Sequence, residues 1–155
     1  MTSRPANTQT SRTGRTPVQL AALVFGIVFI VVGVLGFIPG ITQNYDALLI
    51  AGSDSAALLL GVFQVSILHN IVHLLFGVAG VLLARSFSGA RNFLIWGGVI
   101  YFVLWLYGLF AAGDNPANFV PVNNADNWLH LVLAIAMVAL GLLLGRRRDT
   151  TTTRR

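Results

Sequence analysis

The chain has 155 residues, 55% of them hydrophobic and only 10% charged, with a mean hydropathy of +0.77. Soluble domains carry about 25% charged residues, so this chain has too few charges to cover a water-facing surface. It has no cysteine, which excludes disulfides, thiolate metal sites and thiol redox chemistry, and its net charge of +5 comes from arginines with no basic helix or aromatic-basic patch, which argues against nucleic acid.

Residues 1–17 are rich in Thr, Ser and Arg and have no apolar periodicity, as expected of a disordered cytoplasmic tail. A membrane span needs roughly 20 mainly apolar residues to cross about 30 Å of hydrocarbon, and Val18–Ile38 is the first to qualify. The run is longer than a secretory leader's and lacks a small-residue cleavage site, so it reads as a retained anchor. Ala22, Gly26, Gly33 and Gly40 form a small-residue seam along it. Pro39 to Ala57 then carries Asp46 and Asp54 and no base.

Leu58–Ala84 is the second candidate span and the least apolar, because polar residues interrupt it. At 100° per residue Ser66, His69, Asn70, His73, Gly77, Gly80 and Ala84 share one face, opposite Leu68, Ile71, Leu75 and Leu82. The imidazoles should therefore turn toward neighbouring helices, with Gln64 on the lipid side near the outer end. A short connection, Arg85 to Arg91, leads to the third span, Phe93–Ala112, with Gly97, Tyr101, Trp105, Gly108 and Ala112 at helical spacing.

Gly113 to Asn127 again has two acids, Asp114 and Asp126, and no base. Asn123, Asn124 or Asp126 suits the N-cap of a fourth span, Trp128–Leu144, whose inner face runs from His130 through Ala134 and Met137 to Gly141. A basic cytoplasmic tail, residues 146–155, closes the chain. Both tails and the Arg85–Arg91 connection hold all ten basic residues. By the positive-inside rule both termini face the cytoplasm and both acidic connections face out. The expected fold is all-α: a four-span up-down-up-down bundle over residues 18–145, in a bacterial plasma membrane. Its helices meet through small residues and interhelical hydrogen bonds.

The polar constellation is Ser66, His69, Asn70, His73, Tyr101, Asn123, Asp126, Asn127 and His130. Tyr101 and His73 share a depth, so their side chains are expected to pair. No catalytic set is evident, and the leading reading is a non-enzymatic membrane component that packs with itself or a membrane-protein partner and needs no cofactor. Two other readings stand beside it. His69 and His73, four residues apart on one helix, could hold a metal ion with His130, or His69 or His73 could ligate a b-type haem with His130. Both meet a depth mismatch, His69 lying roughly 16 Å below the outer boundary and His130 about 3 Å. A small-solute or proton path is the third reading, although no carboxylate lies inside a span.

"GVFQVSILHNIVHLLFGVAG" (61–80) and "ANFVPVNNADNWLHL" (117–131), with "IPGITQNYD" (38–46) and "YFVLWLYG" (101–108), resemble the domain of unknown function 4383 family of small four-helix membrane proteins, prominent in actinobacteria. The likeness runs from about Val18 to Gly145. It implies the four-span fold and supplies no activity. The family-like residues Phe63, His69, Asn70, His73, Asn118, Asn123, Asp126, Asn127 and His130 fall on the polar face and the outer loop.

Overall fold

The computed structural model describes residues 14–146. The expected tail disorder falls mainly on residues 1–13 and 147–155, outside the described residues. The chain is mostly helical, with helices α1 (Pro17–Leu35), α2 (Ile67–Leu83), α3 (Phe87–Ala111) and α4 (Asn124–Leu144). By length and composition α1, α3 and α4 can each cross a membrane, and between 28% and 33% of their most apolar windows is buried inside the protein. The rest is outward apolar surface, which fits a membrane protein.

Local chemistry explains where the helices begin. Pro17, whose missing N–H costs nothing in a first turn, starts α1, and the Gln19 side chain accepts from the Thr16 backbone N–H. Ser66 caps α2 by accepting from the His69 N–H, and Ser86 caps α3 by accepting from Gly89. Asn123 and Asp126 cap α4 reciprocally, each side chain accepting from the other's backbone N–H.

Two boundaries differ from expectation. The second span is not helical from Leu58. Leu58–Leu59 and Phe63–Gln64 are short strands (β2 and β3) that form a three-stranded antiparallel sheet with Thr42–Gln43 (β1), in the order β1-β2-β3. Apolar content alone could not tell this extended run from a helix. In the turn between β2 and β3 Leu60 and Gly61 have positive φ and Val62 donates to the Leu59 carbonyl, and because Leu59 pairs with Phe63 three residues connect the strands. The described chain remains mostly helical with this small sheet added, and α2, at 17 residues, is shorter than the other three helices. The placement of Gln64 is corrected as well: it sits on β3, and its amide donates to the Ser53 and Ser55 carbonyls rather than facing lipid. The third helix begins at Phe87, six residues early, so Arg91 lies on α3 and only a tight turn joins it to α2.

Packing is most extensive between α1 and α2 and between α3 and α4. Gly26 lies against Gly77, Gly80 and Val81, Gly33 against Leu74, and Gly36 against Asn70, so contacts run in opposite directions along the pair. The second pair repeats this register: Gly98 lies against Ala134 and Val138, and Gly108 against Asn127. One constant shift carries Asn70, His73, Gly77 and Val81 onto Asn127, His130, Ala134 and Val138. Another carries Gly26, Phe29 and Gly36 onto Gly98, Tyr101 and Gly108. The chain is therefore two copies of one helical hairpin. They meet where Phe29 stacks on Tyr101, with ring centroids 5.3 Å apart.

Candidate functional site

The polar residues gather at the end of the helices that carries the sheet. Ser66, His69, Asn70, Tyr101, Asp126, Asn127 and His130 are buried, His73 is half-buried and Asn123 is at the rim. Ser66 and Asn123 serve as helix caps, so their side chains are committed to backbone. Asp126 ties the two halves together, because its carboxylate accepts from both the Asn123 and the Gln64 N–H, at 3.0 and 2.9 Å. Asn123 donates in turn to the Val62 carbonyl at 2.8 Å.

The three histidines come together despite the expected depth mismatch. Because Phe63–Gln64 is extended, His69 falls in the first turn of α2, the equivalent of Asp126 in α4. The His69 and His73 rings stack at 4.7 Å, and His69 and His130 lie 6.5 Å apart between centroids. His69 Nδ1 donates to the Pro121 carbonyl at 3.1 Å and His73 Nδ1 to the His69 carbonyl at 3.0 Å. A carbonyl can only accept, so each Nδ1 carries the proton, and in the neutral ring Nε2 keeps the lone pair. The expected Tyr101–His73 pairing is not formed. His73 Nδ1 donates within its own helix, and the Tyr101 ring instead meets His130 in a T-shaped contact with centroids 5.2 Å apart.

These rings form a wall between two cavities. The larger, about 330 Å³, opens between α2, α3 and the α3–α4 connection. His69, His73, His130, Tyr101 and Tyr107 line it, with Val72, Val103, Leu104, Phe119, Val120 and Val122 as apolar walls. The smaller, about 100 Å³, lies between α1 and α4 beneath the sheet, where Leu59, Leu60 and Phe63 close over Val32, Leu35 and Leu133. The two cavities are equivalent under the hairpin repeat. They differ in what covers them: the sheet closes over the smaller, and the α3–α4 connection with Phe119, Val120 and Val122 lines the larger.

Among the described residues, four buried polar atoms have no hydrogen-bond partner: Asn70 Nδ2, Asn127 Oδ1, His130 Nδ1 and Trp105 Nε1. Two belong to the equivalent asparagines, each seated where a glycine of the preceding helix leaves room. Tyr107 lines the larger cavity, and its hydroxyl donates to the Ala117 carbonyl. Asn118 organises the loop above. It is fully buried, donates to the Gly113 and Val122 carbonyls and accepts from the Val122 N–H. Ser55 is likewise buried, donating to Val65 and accepting from the Leu49 N–H. A polar residue amid loop sequence gives no periodic signal, which is why Ser55 does not stand out in the chain and Asn118 does so only through the family resemblance.

Among the described residues no three His, Asp or Glu side chains are placed to hold a metal ion. Toward the arginine end the core continues as Phe76, Phe93, Leu94 and Met137, and the buried polar side chains among the described residues all belong to the sheet end. No curated protein and no solved structure matches the chain. A family model described as a domain of unknown function (DUF4383) matches residues 19–143, and the chain belongs to that family.

Proposed function

We propose that this is a multi-pass protein of the bacterial plasma membrane, its four helices running up-down-up-down with both termini cytoplasmic. It acts there as a non-enzymatic component that holds a ligand or a membrane-protein partner at an outward-facing histidine cleft. The carrying observation is the meeting of His69, His73 and His130, from both hairpins, around a cavity at the end away from Arg85 and Arg91. The distribution of arginine supports the orientation. Metal redox chemistry has less behind it, since among the described residues no three His, Asp or Glu side chains are placed to hold an ion; the Nδ1–carbonyl bonds of His69 and His73 by themselves leave each Nε2 able to ligate. Conduction would need a polar route past Phe76, Phe93 and Met137.

The chain has no cysteine, so single cysteines report on topology without background. Asp54→Cys and Asp114→Cys should react with an impermeant maleimide on intact cells. Arg85→Cys should react only after lysis. Labelling of Asp54→Cys and Asp114→Cys from opposite sides, or of Arg85→Cys from outside, overturns the reading.

A further inference from the structure

The larger cleft is open on one side, and what rims the opening identifies its guest. Val72, Val103 and Phe119 are 46%, 56% and 60% exposed and stand at the mouth. They continue the outward apolar surface of α2 and α3, two helices that touch each other little. A molecule entering here comes sideways from the apolar phase rather than from water. The volume, about 330 Å³, lies at the lower end of small-molecule pockets, which run from about 300 to 1,000 Å³.

The back of the cleft sets the polar requirement. His73 donates Nδ1–H to the His69 carbonyl, so its Nε2 is an acceptor awaiting a donor. The Tyr101 hydroxyl and His130 lie beside it on the same wall. No acid and no arginine lines this cavity, so a charged headgroup finds no counter-ion there. We infer that the cleft binds a bilayer-dissolved hydroxyl compound, a phenol or an alcohol. Its apolar body lies between Val72, Val103 and Phe119, and its O–H donates to the imidazole wall at His73. This rests on the outward-opening cleft proposed above. The cysteine labelling reads the topology and the measurement below reads the ligand, so either can fail alone.

The test is equilibrium partition of 2-naphthol and, separately, decan-1-ol into lipid nanodiscs with and without the protein. Saturable uptake above empty nanodiscs is expected for at least one. Uptake of 2-naphthol marks a phenolic guest, and uptake of decan-1-ol alone marks an aliphatic one. For whichever alcohol binds, its methyl ether (2-methoxynaphthalene or 1-methoxydecane) has lost the donor and should bind about tenfold more weakly or worse, because the acceptor is then left unpaired. Val103→Trp fills the mouth from the exposed side and should abolish saturable uptake without changing thermal unfolding. His73→Phe should bring each alcohol down to the level of its ether. No saturable uptake of either alcohol, or equal affinity for alcohol and ether in the wild-type protein, overturns the inference.

Discussion

Replacing Gly26 with alanine tests whether the α1–α2 seam is set by backbone contact. A Cβ at this position would lie 2.7 Å from Val81 N, 2.9 Å from the Gly77 carbonyl oxygen and 3.0 Å from the Gly80 carbonyl carbon. All three are backbone atoms, so no rotamer change relieves the overlap and the helices must separate. Restoring an ordinary contact of about 3.5 Å needs a shift of roughly 0.8 Å, and a gap of that size forfeits a quarter to a half of each dispersion contact nearby. Overpacking of this kind costs about 1–3 kcal/mol, or about a 5- to 150-fold fall in the folding equilibrium constant. Unfolding from dodecylmaltoside micelles with increasing SDS, followed by far-ultraviolet circular dichroism, reads that loss. Gly98→Ala should fall in the same range, because its Cβ would meet Ala134 O and Val138 N, each at 2.9 Å. Gly14→Ala, with nothing within 4 Å, should stay within about 0.5 kcal/mol of wild type. If Gly26→Ala unfolds with Gly14→Ala, the seam is looser than its geometry and the reasoning fails.

Asn118→Ala should release the 113–122 loop, since its side chain makes three hydrogen bonds from a fully buried position. A cost of about 1–3 kcal/mol is expected, with new protease cleavage in the loop, and an uncut loop would refute the role. Asp126→Asn keeps an oxygen for the Gln64 and Asn123 N–H groups and should cost less than about 1 kcal/mol, whereas Asp126→Leu strands both donors and should cost about 1–3 kcal/mol. Equal stability of the two variants would show that these bonds contribute nothing.

The helices were legible because apolar runs and small-residue stripes are periodic signals. Gly26, Gly77 and Gly80 read directly as a seam. The strand at Phe63–Gln64 was not, because Leu58–Val65 is as apolar as a span; Phe63–Gln64 pairs with Leu58–Leu59, which in turn pairs with Thr42–Gln43, distant in sequence. That one misreading placed His69 too deep and made its meeting with His130 look unfavourable. The side-chain partners were also out of reach: depth alone paired Tyr101 with His73, but the Tyr101 ring packs on Phe29 and against His130 instead. A readable signal was the recurrence of Asn-x-x-His-Leu at 70–74 and 127–131, which marks the hairpin repeat.

The repeat shows where the molecule departs from its own symmetry, and the departures coincide with the cleft. Along the matched helices Asn70 and His73 reappear as Asn127 and His130, but His69 reappears as Asp126 and Phe29 as Tyr101. Asp126 turns to the Gln64 and Asn123 N–H groups and so fastens the sheet over the α1–α4 side. His69 turns to the Pro121 carbonyl and fastens the loop beside the α2–α3 side. One carboxylate and one imidazole at equivalent positions thus hold two different lids, the first over a cavity of about 100 Å³ and the second beside one of about 330 Å³. Packing alone would be served by two equal halves. The residues that break the equality, His69 and Tyr101, add an imidazole and a hydroxyl to the wall that His73 and His130 build, on the side of the wider of the two clefts.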